Sequence, residues 1–100
     1  MNAVSDRVSH SEFDLFCITN DIEVGDTLLL QHSAKGKESV NTVLGVYLGE
    51  GRNGVVKILL ESGKNISLNP DLLKASSRTE TFRALGKSVK PLKLKDIQGA

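Results

Sequence analysis

The sequence predicts a mainly β fold, a small barrel of about five strands with short flanking helices. Three observations carry that expectation. Residues 40–48 and 55–61 are dense in β-branched and other apolar residues that divide with period two between the two faces of a strand. Turn compositions, Gly49 to Gly54 and Ser62-Gly63-Lys64, punctuate those runs at hairpin distances. Helical spacing of apolar residues is confined to two short stretches, near 12–18 and 78–85.

One hundred residues make one domain, and a chain of that length buries roughly two-thirds of its unfolded surface. Residues 1–10 are polar and are expected to form a flexible N-terminus. The barrel is expected over 22–76, a short helix over 77–86 and a basic extended tail over 87–100.

Taken in order, Ser11-x-x-Asp14 has the form of an N-cap with an acid in the first turn. Phe13, Phe16 and Cys17 then follow at i, i+3 and i+4, which predicts a helix over 12–18. A strand is the rival, because Phe13, Leu15 and Cys17 also alternate. Val24-Gly25-Asp26 reads as a turn feeding a strand through Leu28, Leu29 and Leu30, and Lys35-Gly36-Lys37 as a loop tip.

In the central hairpin, Gly45 interrupts a strand and predicts a bulge or a strong bend. Asn53-Gly54 tolerates the positive φ of a hairpin turn, and a short strand over 65–68 follows. Asn69-Pro70 caps and opens a single helical turn. Ser77-x-x-Glu80 matches a capping box, so a helix over 78–85 is expected to bury Phe82 and Leu85 and to stop at Gly86. Pro91 keeps the tail extended, and Leu92-Lys93-Leu94-Lys95 alternates as an edge strand would.

This order resembles the SH3-like small β-barrel, in particular its Tudor-like and KOW-like branches. The resemblance rests on Val24-Gly25-Asp26 and on residues 40–48, 55–60, 65–68 and 69–73, about half the chain. It is one of layout, and it implies a binding domain. The ligand recognition of those branches does not carry over. Lys35-Gly36 stands far from Gly45-Val46, and Tyr47 is the one aromatic ring in the barrel region, too few for a methyl-lysine cage.

Both faces of the hairpin are apolar. Leu44, Val46, Val56, Ile58 and Leu60 are assigned to one side; Leu29, Val43, Tyr47, Val55 and Leu59 are assigned to the other. A barrel has one inside, so the second set needs a cover. Phe13/Phe16 and Phe82/Leu85 could supply it from within the chain. Otherwise Leu29, Val43, Tyr47, Val55 and Leu59 form the candidate protein-binding surface, for a partner or for self-association.

Charge is uneven. Residues 1–26 hold Arg7 against six acids, whereas residues 74–100 hold seven bases against two acids. The two ends could dock on each other. Alternatively Lys74, Arg78, Arg83, Lys87, Lys90, Lys93 and Lys95, extended by Lys35, Lys37 and Arg52, form a candidate nucleic-acid surface. Against it stand the near-zero net charge and the shortage of stacking rings.

No catalytic constellation emerges. Cys17 lies among Leu15, Phe16 and Ile18 and reads as a small buried hydrophobe rather than a nucleophile served by His10 or His32. Gly49-x-Gly51-x-x-Gly54 joins two strands instead of opening a helix, so it is a turn and not a phosphate loop. The His10, Cys17, His32 spacing fits no zinc signature, and no cofactor or small-molecule substrate is expected. No apolar run spans a membrane, and one cysteine with no signal-like segment points to a reducing, cytoplasmic location. The expectation is a non-catalytic binding or adaptor module acting through protein–protein contacts, by its second apolar face or an unpaired edge strand, with nucleic-acid association as the alternative.

Overall fold

Six antiparallel strands curl into a nearly closed barrel in the computed structural model, which describes residues 11–92. The strands are β1 (Thr27–Ala34), β2 (Val40–Glu50), β3 (Val56–Leu60), β4 (Asn65–Leu68), β5 (Lys74–Ser76) and β6 (Glu80–Lys87). Among the described residues one helix, α1 (Glu12–Asn20), precedes them. The sheet order is β4-β3-β2-β1-β6-β5, and its two outer strands meet through a single main-chain bridge, Asn69 to Lys74. The expected flexible segment 1–10 and the expected edge strand through Lys93 and Lys95 lie outside the described residues.

Helix α1 starts where the sequence marks it. Ser11 Oγ accepts from the Asp14 amide, and Asp14 Oδ2 accepts from the Ser11 amide, both at 3.1 Å. That reciprocal pair satisfies two amides the helix itself leaves open. Asp21 ends the helix at φ 55, and the Ile22 amide returns to Cys17 O at 2.9 Å. The inner face carries Phe13, Phe16 and Cys17 against the barrel core, and Phe13 N–H donates to Pro70 O at 2.8 Å. Phe13 also meets Tyr47 edge-on, with ring centroids 5.1 Å apart. The helix is therefore a plug over one end of the barrel.

The register overturns the sequence assignment of β2. Gly45 pairs with Leu60, Val46 with Leu59 and Tyr47 with Ile58. Tyr47 and Val43 thus face inward with Val56, Ile58 and Leu60, while Leu44 and Val46 share the outer face with Leu29 and Leu59. A one-residue difference in register exchanges the two faces of a strand. Its source is local: Leu48 is an unpaired bulge before Gly49, and Arg52–Gly54 forms a 3-10 turn with Asn53 at φ 62. Gly45 itself is neither bulged nor bent out of register. A Cβ there would lie 2.5 Å from Ile58 Cγ2, so the glycine lets the barrel wall close on its own core.

A second correction concerns residues 78–85, which form β6 and not a helix. The capping signal is real but serves a hairpin. Ser77 Oγ accepts from the Thr79 and Glu80 amides at 3.2 and 3.1 Å, and the Ser77 amide donates to Glu80 O at 2.8 Å. Beyond it Phe82 and Ala84 point inward, and Leu85, expected in the core, is 46% exposed. β1 needs a partner on its second edge, and tertiary pairing outweighs a weak helical preference.

The Asn69 turn matches its reading: Asn69 Oδ1 accepts from the Asp71 and Leu72 amides at 2.8 and 3.2 Å. Outside the barrel, Val46 and Leu59 form a small buried cluster with Leu92. Their cover is the C-terminal segment, not the Phe13/Phe16 or Phe82/Leu85 segments, whose Phe13 and Phe82 belong to the main core.

Candidate functional site

The end of the barrel opposite α1 carries the densest cluster of interacting side chains. His32 and Phe82 are paired across β1 and β6, and their rings stack with centroids 4.6 Å apart. Glu80, at the start of β6, accepts from two sides. Its Oε1 lies 2.9 Å from His32 Nε2, and its Oε2 pairs with Lys64 from the β3–β4 turn. Lys64 Nζ also sits 5.8 Å from the Phe82 ring centroid. Lys64 and Glu80 thereby tie β6 to the β3–β4 turn, next to the gap where β4 and β5 part. Because all three polar groups are partly exposed, this network contributes on the order of 1 kcal/mol or less per pair.

Beneath these groups is a pocket of about 220 Å³ with Val43, Leu60 and Phe82 as apolar walls and His32, Lys64, Glu61 and Glu80 as its polar rim. It is large enough for one apolar side chain.

Beside the pocket runs a free strand edge. β2 pairs with β1 from Val46 down to Val40, yet β3 pairs with β2 only from Gly45 onward. The ladder ends at Leu44, whose carbonyl accepts from the Glu61 amide at 3.0 Å and whose amide donates to Glu61 Oε2 at 3.1 Å. Strand peptide groups alternate in direction with period two. Those of Thr42 and Val40 therefore point the same way as those of Leu44, past the end of β3, and both residues are exposed.

The candidate protein-binding set does not form one face. Tyr47 and Leu59 are buried on opposite sides of the wall, Val43 lines the pocket, and Leu29 lies on the outer face beside Leu44. Val55 lies outside β3, in the loop before it.

The basic set is divided too. Lys74 and Arg83 are cross-strand neighbours on the outside of β5 and β6, and Arg78 sits in the turn above them. Lys87 turns instead to the acidic end, 3.3 Å from Asp26 Oδ2 and 3.0 Å from Asp21 O. Asp26 is held below the ordinary carboxylate range, first by the Glu23 amide it accepts from and then by Lys87. Lys90 is exposed, and Lys93 and Lys95 lie outside the described residues.

Cys17 packs against the core, and its thiol is pushed up to about 11 by burial and by the Asp14 and Glu50 carboxylates. A thiol so placed is protonated at neutral pH and a poor nucleophile. His32 stands five residues along β1 from the Thr27 end, roughly 16 Å at strand rise, and shares no pocket with Cys17. Among the described residues no group of three or more His, Cys, Asp or Glu could hold a metal ion, and no helix is long and apolar enough to cross a membrane.

The chain finds no match among protein-family models, curated proteins or solved structures. Sequence reasoning missed the His32, Lys64, Glu80 and Phe82 cluster because it placed Phe82 on a helix. The alternation Phe82, Ala84 was the available signal.

Proposed function

We propose that this protein is a non-catalytic binding module that takes an extended segment of a partner protein as an added strand on the free edge of β2. The observation that carries the reading is the end of the β2–β3 ladder at Leu44, which leaves the outward peptide groups of Val40 and Thr42 beside the His32–Phe82 pocket. Main-chain hydrogen bonds would supply affinity, and one apolar side chain of the partner entering the pocket would supply selectivity. The six-stranded barrel is compatible with the SH3-like layout, with β6 and the β5–β6 hairpin closing the sheet, and that layout is part of the same reading.

The nucleic-acid alternative has less support. Its charges are split between two regions, and Lys87 is engaged by Asp26.

The test is selection of short extended peptides from a displayed random library, followed by amide hydrogen exchange on the complex. Slowed exchange at Val40 and Thr42, together with loss of binding in Thr42→Pro, is expected. Proline removes an amide that faces away from β1, so the barrel's own ladder stays intact. Selected peptides that bind Thr42→Pro as well as the parent protein would sink the proposal.

A further inference from the structure

We propose that the groove between α1 and the Tyr47 end of β2 is a second docking surface, for a protein segment that carries lysine or arginine beside apolar side chains. The groove, about 620 Å³, is separate from the β2 edge and lies at the plugged end of the barrel. Its apolar part is unusually open. Ile18 from α1 is 68% exposed and Val24 from the following loop is 66% exposed, and both line the same groove above Cys17 and Tyr47. Singly exposed apolar residues need no explanation, but two on one groove form a patch.

The rim determines the occupant. Among the described residues Asp14, Glu23 and Glu50 line the groove, and no lysine, arginine or histidine does. Among the described residues Glu23 and Glu50 make no ion pair with a base. Burial is the main cause that raises the Cys17 thiol and the Tyr47 hydroxyl, and the Asp14 and Glu50 carboxylates add to both in the same direction. Phosphate-rich ligands and anionic lipid surfaces are repelled by such a rim. A basic amphipathic segment satisfies both parts at once, its cations over Glu23 and Glu50 and its apolar side chains against Ile18 and Val24. With the β2 edge at the other end, the module would join two partners.

Three synthetic peptides of equal length test this against the full chain: alternating leucine and lysine, serine and lysine, and leucine and glutamate. The leucine–lysine peptide is expected to shift the amide resonances of Ile18, Val24 and Glu50. The serine–lysine and leucine–glutamate peptides should bind about tenfold more weakly or worse. The exposed substitutions Ile18→Ser and Val24→Ser should weaken leucine–lysine binding about as much while leaving the spectrum of the barrel unchanged, and Glu23→Lys with Glu50→Lys should reverse the preference between lysine and glutamate peptides. Equal binding of the serine–lysine peptide would reduce the effect to simple charge attraction and overturn the assignment. So would concentration-dependent shifts of the same resonances without peptide, which would make a second copy the occupant.

Discussion

Gly45 lies against Ile58 so closely that an added Cβ would stand 2.5 Å from Ile58 Cγ2, with Leu30 Cδ1 at 3.1 Å and Leu60 Cδ2 at 3.2 Å. The nearest of these atoms is on a β-branched carbon that cannot swing away. Gly45→Ala is therefore expected to destabilise the barrel by about 1–3 kcal/mol, measured by urea unfolding. Ile58→Leu moves the branch point outward, so the double variant should recover part of that loss. Full stability in Gly45→Ala alone would contradict the tight contact.

The outer cluster rests on a second reciprocal pair. Thr27 Oγ1 accepts from the Leu92 amide at 2.8 Å and lies 3.5 Å from Leu92 O. Thr27 is buried, so Thr27→Val leaves Leu92 polar groups without their partner at a cost of about 1–2 kcal/mol. Leu92→Ala uncovers Val46 and Leu59, and added binding of a hydrophobic dye would report it. An unchanged unfolding midpoint in both variants would mean that the segment does not hold the outer face.

Cys17 supplies a pH test. Its thiol is raised from 9.0 to about 11, so at pH 8 its alkylation by iodoacetamide should run about a hundredfold slower than that of an unperturbed thiol. The neutral form is the one the fold favours. Its contribution to stability is complete below pH 9 and is lost as pH rises toward 11. Cys17→Ser should remove that alkaline loss. Rapid labelling of native protein at neutral pH would count against the burial of the thiol.

Asp26 titrates with the opposite sign. Its Oδ2 accepts from the Glu23 amide at 2.8 Å, and its carboxyl is lowered from 3.8. The stabilisation it gives is present above that value and fades as pH falls through the lowered one. Asp26→Ala should therefore cost stability at neutral pH and progressively less in acid. A pH-independent difference between the two proteins would be the wrong result.

The sequence carried some of these features better than others. The α1 start, the Asn69 turn and the Asn53-Gly54 turn were legible because each depends on hydrogen bonds within a few residues. The face of β2 was not, because alternation fixes which residues share a side but not which side is inward. Here the Leu48 bulge shifts the register, and period-two counting cannot see it. β6 was lost for a related reason. Ser77 Oγ accepts from the Glu80 amide as an N-cap would, but the Ser77 amide donates to Glu80 O instead of its carboxylate, and the free edge of β1 directs the chain that follows into a strand. The pocket lined by His32, Val43 and Phe82 depends on that strand, so it could not be placed without it.

The seam between β4 and β5 has a consequence for self-association. Both are terminal strands of the sheet, and such edges usually recruit other chains. Here each terminal strand faces the other, and the Asn69–Lys74 bridge and the Lys64–Glu80 pair hold them in place. An incoming chain would have to break that closure before it could add to either. Loosening the seam would turn a shielded pair of edges into two sticky ones, so the colloidal behaviour of the protein rests partly on Lys64 and Glu80, the same side chains that rim the proposed binding pocket.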